Sequence, residues 1–181
     1  METVDLIILG GGSAGLHAAE VAGSRRMTTA IIDSYPQLGG QLIAIYPEKF
    51  VDNVSGFTKI LAKDLATHLV ARMLNYHPIV YLNEYAAGLE FLTPGMFSVA
   101  TKSGLAVHGK SVLITAAPGG LTPRKLDLPE AERYEGKGLI YIVTDRSLFK
   151  RKRIVILGGG DSALDWAIEL AGYADMVTLI H

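Results

Sequence analysis

Two glycine-rich stretches carry most of the chemistry available to this sequence, Gly10-Gly11-Gly12-Ser13-Ala14-Gly15 and Gly158-Gly159-Gly160-Asp161-Ser162-Ala163. The pyrophosphate of a dinucleotide must lie against backbone N–H groups at a helix N-terminus, where unpaired donors and the helix dipole both favour an anion. In G-x-G-x-x-G/A, the three small residues permit a tight turn, a close approach to the phosphates and close packing of helix on strand. Gly10, Gly12 and Gly15 fill these places in the first stretch, with Ser13 and Ala14 between them. Gly158, Gly160 and Ala163 fill them in the second, with Asp161 and Ser162 between them. Glycine-rich turns are common, so the motif carries weight only with a strand before it and a helix after it.

The flanking sequence provides that context twice. Val4–Leu9 is a short apolar run, as expected of a parallel strand buried on both faces, and Leu16 to Arg26 is rich in small helix-compatible residues. Thr29–Ile32 is a second apolar run ending at Asp33. Around the second stretch, Arg153–Leu157 reads as another buried strand. Ala163, Leu164, Ala167, Ile168 and Ala171 line one helical face, and Val177–Ile180 reads as the closing strand. The two units stand 148 residues apart.

Asp33 lies 23 residues after Gly10, where a carboxylate can accept hydrogen bonds from the ribose hydroxyls of an adenine nucleotide; a solvated acid at a strand end is the plainer alternative. The same offset from Gly158 reaches His181. A histidine there can donate to a 2′-phosphate, which favours NADP over NAD at the second loop, although a surface histidine would look the same.

Between the two units, residues 34–58 read as irregular. Lys59–Tyr76 has Leu61, Leu65, Leu69, Met73 and Tyr76 at helical spacing. Residues 79 to 116 read as a strand and a small antiparallel meander, and Pro118-Gly119-Gly120 as a crossing between domains. The expected fold class is α/β, with two Rossmann-like units, the first bearing the meander and the second incomplete. The expected domains are 1–120 and 121–181.

Composition removes several alternatives. With 181 residues and 49% apolar content the chain can build a core without metals or disulfides. Zero cysteine excludes thiolate zinc sites, iron–sulfur clusters and a redox-active dithiol within these residues. Seventeen basic against eighteen acidic side chains give no general case for nucleic acid or an anionic membrane. The acidic start and the short apolar runs suggest neither a secretory signal nor a membrane span, so a cytoplasmic protein is expected. The five histidines show no metal-ligand spacing, and there is no Gly-x-Ser-x-Gly elbow. Lys150-Arg151-Lys152-Arg153 is a solvated lead-in to a strand, or a local attraction for an acidic protein.

Two dinucleotide folds with a meander before the second resemble the layout of two-dinucleotide-binding flavoproteins. Gly39-Gly40-Gln41-Leu42, Tyr46-Pro47-Glu48-Lys49, Val54-Ser55-Gly56-Phe57 and Leu121-Thr122-Pro123-Arg124 narrow this. With them the chain resembles the thioredoxin-reductase-like ferredoxin–NADP reductases over essentially its whole length. The resemblance implies FAD at the first loop and NADP at the second. It further implies that Gln41 hydrogen-bonds at the flavin, that Tyr46 stacks on the isoalloxazine, and that Ala86 and Leu121 contact FAD. From the residues alone, Tyr46 could equally be a packing or surface residue. The implied activity is hydride transfer from NADPH to FAD and single-electron transfer to ferredoxin or a similar carrier, in a homodimer. No catalytic acid or base is expected, since hydride transfer between stacked rings needs none. A non-catalytic nucleotide-binding fragment and a flavin reductase serving another carrier share the same residues.

Thioredoxin reductases proper place a Cys-x-x-Cys before the second loop, where this chain has Tyr141-Ile142-Val143-Thr144-Asp145. Dithiol chemistry is therefore not expected here. Ala116-Ala117-Pro118-Gly119-Gly120 departs from the family pattern, and Pro118 removes a backbone donor. The family's flavin domain is also completed by a later C-terminal stretch, so the sequence reads as C-terminally truncated.

Overall fold

The computed structural model describes residues 3–117 and 125–181. The chain divides into two compact units, Met1–Ile142 and Val143–His181. In the first, β1 (Leu6–Leu9), β2 (Thr29–Ile32), β5 (Ile79–Tyr81) and β9 (Val112–Ile114) form a parallel sheet in the order β5-β2-β1-β9. Side chains alternate across this sheet, and both faces of its central strands β1 and β2 are covered. Ile8 and Ile31 bury against Leu16, Ala19 and Met73 of helices α1 (Ser13–Ser24) and α3 (Ala62–Leu74). Ile7, Ala30 and Ile32 bury on the other face against Val99 and Val107. Those valines belong to β7 (Met96–Thr101) and β8 (Ala106–Gly109), which with β6 (Ala86–Thr93) form the antiparallel meander β6-β7-β8. Full burial of each isoleucine contributes about 1.5–3 kcal/mol.

Three local expectations change. Residues 34–58 are not wholly irregular, because they hold the short helix α2 (Gln41–Ala44) and β3 (Phe50–Val51). The long helix starts at Ala62 rather than Lys59, since Ile60–Leu61 forms β4 and pairs antiparallel with β3. The 79–116 segment does more than form a meander, because its last strand, β9, returns to pair with β1. The Tyr46-Pro47-Glu48-Lys49 stretch is pinned to the start of α3. Lys63 donates from its backbone to Pro47 and from Nζ to the buried Glu48 carboxylate.

At the lower end of the sheet, Asp5 accepts hydrogen bonds from Lys110 Nζ (2.7 Å), Thr28 N (2.8 Å) and Thr28 Oγ1 (2.9 Å). The Lys110 bond, then those from Thr28, pull its carboxyl from 3.8 down to about 2. The folded pKa lies below the unfolded one, so this contribution is complete above the unfolded value and disappears as pH falls through about 2. Asp5→Asn should therefore lower Tm at pH 6, with the gap to the unsubstituted protein closing towards pH 2. Thermal melts across that range check this, and a gap of constant size would contradict it.

The second unit contains β10 (Arg153–Leu157), α4 (Asp161–Ala171) and β11 (Met176–Ile180), with β10 and β11 parallel. The expectation of a buried β10 is corrected: its residues alternate between exposed and half-buried, because among the described residues its sheet has two strands. Among the described residues, no helix is long and apolar enough to cross a membrane.

Candidate functional site

The first glycine loop joins β1 to α1. The chain turns at Gly10 (φ 108°), and Gly12 caps the helix with extended backbone. Leu16 N makes the first intrahelical bond, to Gly12 O at 2.9 Å, so the N–H groups of Ser13, Ala14 and Gly15 precede the ladder. The first turn of α1 holds no acidic residue to compete with an incoming anion. Gly15 is the tightest point: a Cβ there would lie 1.9 Å from the Gly10 carbonyl oxygen. Thr115, the residue after β9, fixes this turn, its hydroxyl lying 3.0 Å from the carbonyl oxygens of both Leu9 and Gly10.

Asp33 is buried at the end of β2. Its Oδ2 accepts from Gly11 N and its Oδ1 from Tyr35 N at 2.8 Å. Each carboxylate oxygen has two lone pairs, so accepting capacity remains for a ribose. A cleft beside it is lined by Gly10, Gly12, Asp33, Gln41 and Ala86, together with Ser34, Tyr35, Gly40, Glu84, Tyr85 and Thr115. Five of the expected residues thus meet in one cleft. Ser13 and Ala14 are exposed at the helix start. Tyr46 is half-buried against Leu42, Ile60, Ala62, Leu65 and Ala66, rather than among the cleft-lining residues. Leu121 and Pro118 lie outside the described residues.

Thr115 and Glu84 belong to no motif, and Gly40 entered only as part of the Gly39-Gly40-Gln41-Leu42 stretch, not as an expected site residue. Gly40 has φ 54°, and a Cβ there would lie 2.8 Å from Gly12 Cα, so the Gly39-Gly40 turn forms the wall opposite the first glycine loop. Gly39 N donates to Gly11 O at 2.9 Å. The adjacent glycine pair was the signal for this wall. Glu84 has no local signature; the hydroxyls of Thr101 and Ser103 hold its carboxyl below the ordinary range.

The second loop repeats the first at the same spacing. Leu6↔Thr29 through Leu9↔Ile32 reappear as Ile154↔Val177 through Leu157↔Ile180. Gly10 N→Ile32 O (2.9 Å) recurs as Gly158 N→Ile180 O (2.8 Å), and Leu16 N→Gly12 O recurs as Leu164 N→Gly160 O (3.2 Å). Gly158 has φ 127° and Gly160 caps α4. Asp33 reaches over Gly11, and His181 occupies the matching place: a Cβ on Gly159 would lie 2.3 Å from its imidazole Cδ2. Asp161 places one carboxylate in the first turn of α4, and Ser162 and Ala163 follow it. Ala163 stands where the first loop has Gly15, and even a Cβ built on Gly158 would meet its Cβ only at ordinary contact distance, 3.8 Å.

Proteins of known name are similar to this chain. The protein is 43% identical over 177 residues to "Ferredoxin--NADP reductase 2" of Listeria innocua, covering 98% of this chain and 53% of that one. It is 46% identical to the protein of the same name from Shouchella clausii, with the same coverage. Lactococcus lactis thioredoxin reductase superposes with a TM-score of 0.76 at 26% identity, covering 99% of this chain and 56% of that one. The chain spans about half the length of the curated relatives it matches. Residues 4–181 match the pyridine nucleotide-disulphide oxidoreductase model, and with its duplicated strand–glycine loop–helix unit the chain belongs to that family.

Proposed function

We propose that this chain carries the nucleotide-handling part of a ferredoxin–NADP reductase type flavoenzyme, with FAD in the first cleft and NADPH at the second loop. One observation carries the reading: the two glycine loops share strand register and cap geometry but differ at the residue over the loop, Asp33 against His181. A carboxylate accepts from ribose hydroxyls and repels a 2′-phosphate, whereas an imidazole can donate to one.

The first cleft fits FAD on its own features. Gly10, Gly15 and Gly40 have no room for a Cβ against neighbouring backbone, so strand, helix and turn close tightly around the cleft, and the first turn of α1 offers N–H donors with no local acid. When bound, FAD accepts a hydride from a nicotinamide and releases electrons one at a time. The chain's residues bind and orient. The N–H groups of Ser13, Ala14 and Gly15 would hold the pyrophosphate, Asp33 the ribose, and Gln41, Ala86 and Leu121 the remainder of the cofactor. Tyr46 would complete the flavin site by turning from its packed position. Gly158, Gly160, Asp161, Ser162, Ala163 and His181 would form the NADPH loop.

In this reading residues 1–120 form the FAD-binding domain and 121–181 begin the NADP-binding domain. The assembly would be a cytoplasmic homodimer with ferredoxin or a similar one-electron carrier as acceptor. With no cysteine in these residues, the flavin's electrons would pass directly to that carrier. Anaerobic addition of NADPH to the FAD-loaded protein should bleach flavin absorbance near ~450 nm, and NADH should do so more slowly. Reduced flavin should then be reoxidised by ferredoxin. Absence of bleaching would remove the reductase assignment, and reoxidation by another carrier but not ferredoxin would change the acceptor.

A further inference from the structure

The segment after β5 forms one wall of the first cleft, and its side chains are held from outside that cleft. Asn83 N donates to Tyr35 O (3.0 Å) and Glu84 N to Asp33 O (2.9 Å), which puts Glu84 beside Asp33 at the nucleoside end. Ser103, exposed in the β7–β8 turn, has its hydroxyl 2.9 and 2.7 Å from the two Glu84 carboxylate oxygens, and Thr101 Oγ1 lies 3.0 Å from Ser103 Oγ. Lys102 donates from its backbone to Tyr85 O, and its ammonium sits 4.3 Å from the Tyr85 ring centroid.

Among the described residues Glu84 makes no ion pair. Its partners are neutral hydroxyls, just as those of Asp33 are backbone N–H groups. The cleft is therefore lined at one end by two acidic residues, neither in an ion pair among the described residues, while backbone N–H donors gather at the start of α1. A like charge brought close to such a pair is strongly disfavoured.

Building on the FAD reading above, we propose that Glu84 is a specificity-determining residue of the first cleft. Its fixed carboxylate turns away adenosine phosphorylated on the ribose, and Ser103 is the positioning residue that holds it there. Asp33 alone would leave the outer side of the ribose open. Glu84 extends the negative wall across it, so a nucleotide carrying a 2′-phosphate is sorted away from this loop.

The test is competition against FAD for the flavin-stripped protein, read by flavin fluorescence, with ADP and adenosine 2′,5′-bisphosphate as competitors. FAD as reporter confines the measurement to the first cleft. Glu84→Gln should cut the preference for ADP over the bisphosphate roughly tenfold, and Glu84→Asp should restore most of it. Ser103→Ala, a surface substitution, should cut it about threefold by releasing the carboxylate, and it decides the matter alone if Glu84→Gln does not retain FAD. A preference within twofold of the unsubstituted protein in the interpretable variants overturns the inference. If the unsubstituted protein binds no FAD, the functional reading itself fails and the inference falls with it.

Discussion

Gly15→Ala is expected to abolish tight flavin binding while leaving a chain that still folds at lower temperature. The added methyl group would lie 1.9 Å from the Gly10 carbonyl oxygen and 2.9 Å from Thr115 Oγ1. The nearer atom is backbone, held by Thr115 Oγ1 while the Gly10 N–H donates to Ile32 O, so no side-chain rotation relieves the clash. Helix α1 must withdraw from the loop, which carries the N–H groups of Ser13, Ala14 and Gly15 out of phosphate reach. Overpacking of this kind costs about 3 kcal/mol. Loss of one or two charge-assisted hydrogen bonds weakens binding by on the order of a hundredfold. The second loop supplies the control, because it carries alanine, Ala163, at this place. Ala163→Gly should shift stability only by about 1 kcal/mol, the helix-propensity difference. Urea melts and FAD titrations on the two variants check both statements.

Asp33→Asn should have the second-largest effect. The two oxygens of Asp33 accept from different backbone donors, Gly11 N and Tyr35 N. A carboxylate can serve both, but an amide has one acceptor oxygen and an NH₂ group that would face the other N–H. With Asp33 buried, the orphaned donor cannot turn to water. About 1–3 kcal/mol of stability should go with it. Because Gly11 sits within the phosphate loop, the loop loses its fixed shape as well as its ribose acceptor. FAD affinity should fall by on the order of ten- to a hundredfold. Asp33→Ala should cost at least as much stability, since it orphans both donors. Equal flavin affinity in Asp33→Asn and the unsubstituted protein would assign Asp33 a purely structural role.

These two residues are also those that the sequence showed most clearly, for a physical reason. A phosphate loop is local: strand, turn and helix follow one another within about thirty residues, so spacing alone carries the geometry. The 23-residue step from Gly10 to Asp33 spans one helix and one strand, and the fold preserves it at Gly158 and His181. What could not be read lies in long-range pairing. Thr115 braces the turn because β9 returns across the meander to lie beside β1, and nothing near residue 115 announces that return. Glu84 acquires its partners from a turn nineteen residues later. The start of α3 was misplaced because the apolar spacing of Leu61 with Leu65 fits a helix, while its pairing with Phe50 makes it a strand. Tyr46 likewise takes its seat from long-range packing: the resemblance implies a ring stack, and the half-buried side chain rests on the Leu42 cluster of α2, β4 and α3.

In the proposed function, the cleft between the first glycine loop, Asp33 and the Gly39-Gly40 turn is an FAD site. It is tested most directly by titrating FAD into the flavin-free 181-residue protein and following flavin fluorescence to saturation. One FAD per chain is expected, with a Kd in the micromolar range or below, and with affinity lost in Gly15→Ala but kept in Ala163→Gly. Absence of saturable binding, or equal binding by both variants, would contradict it.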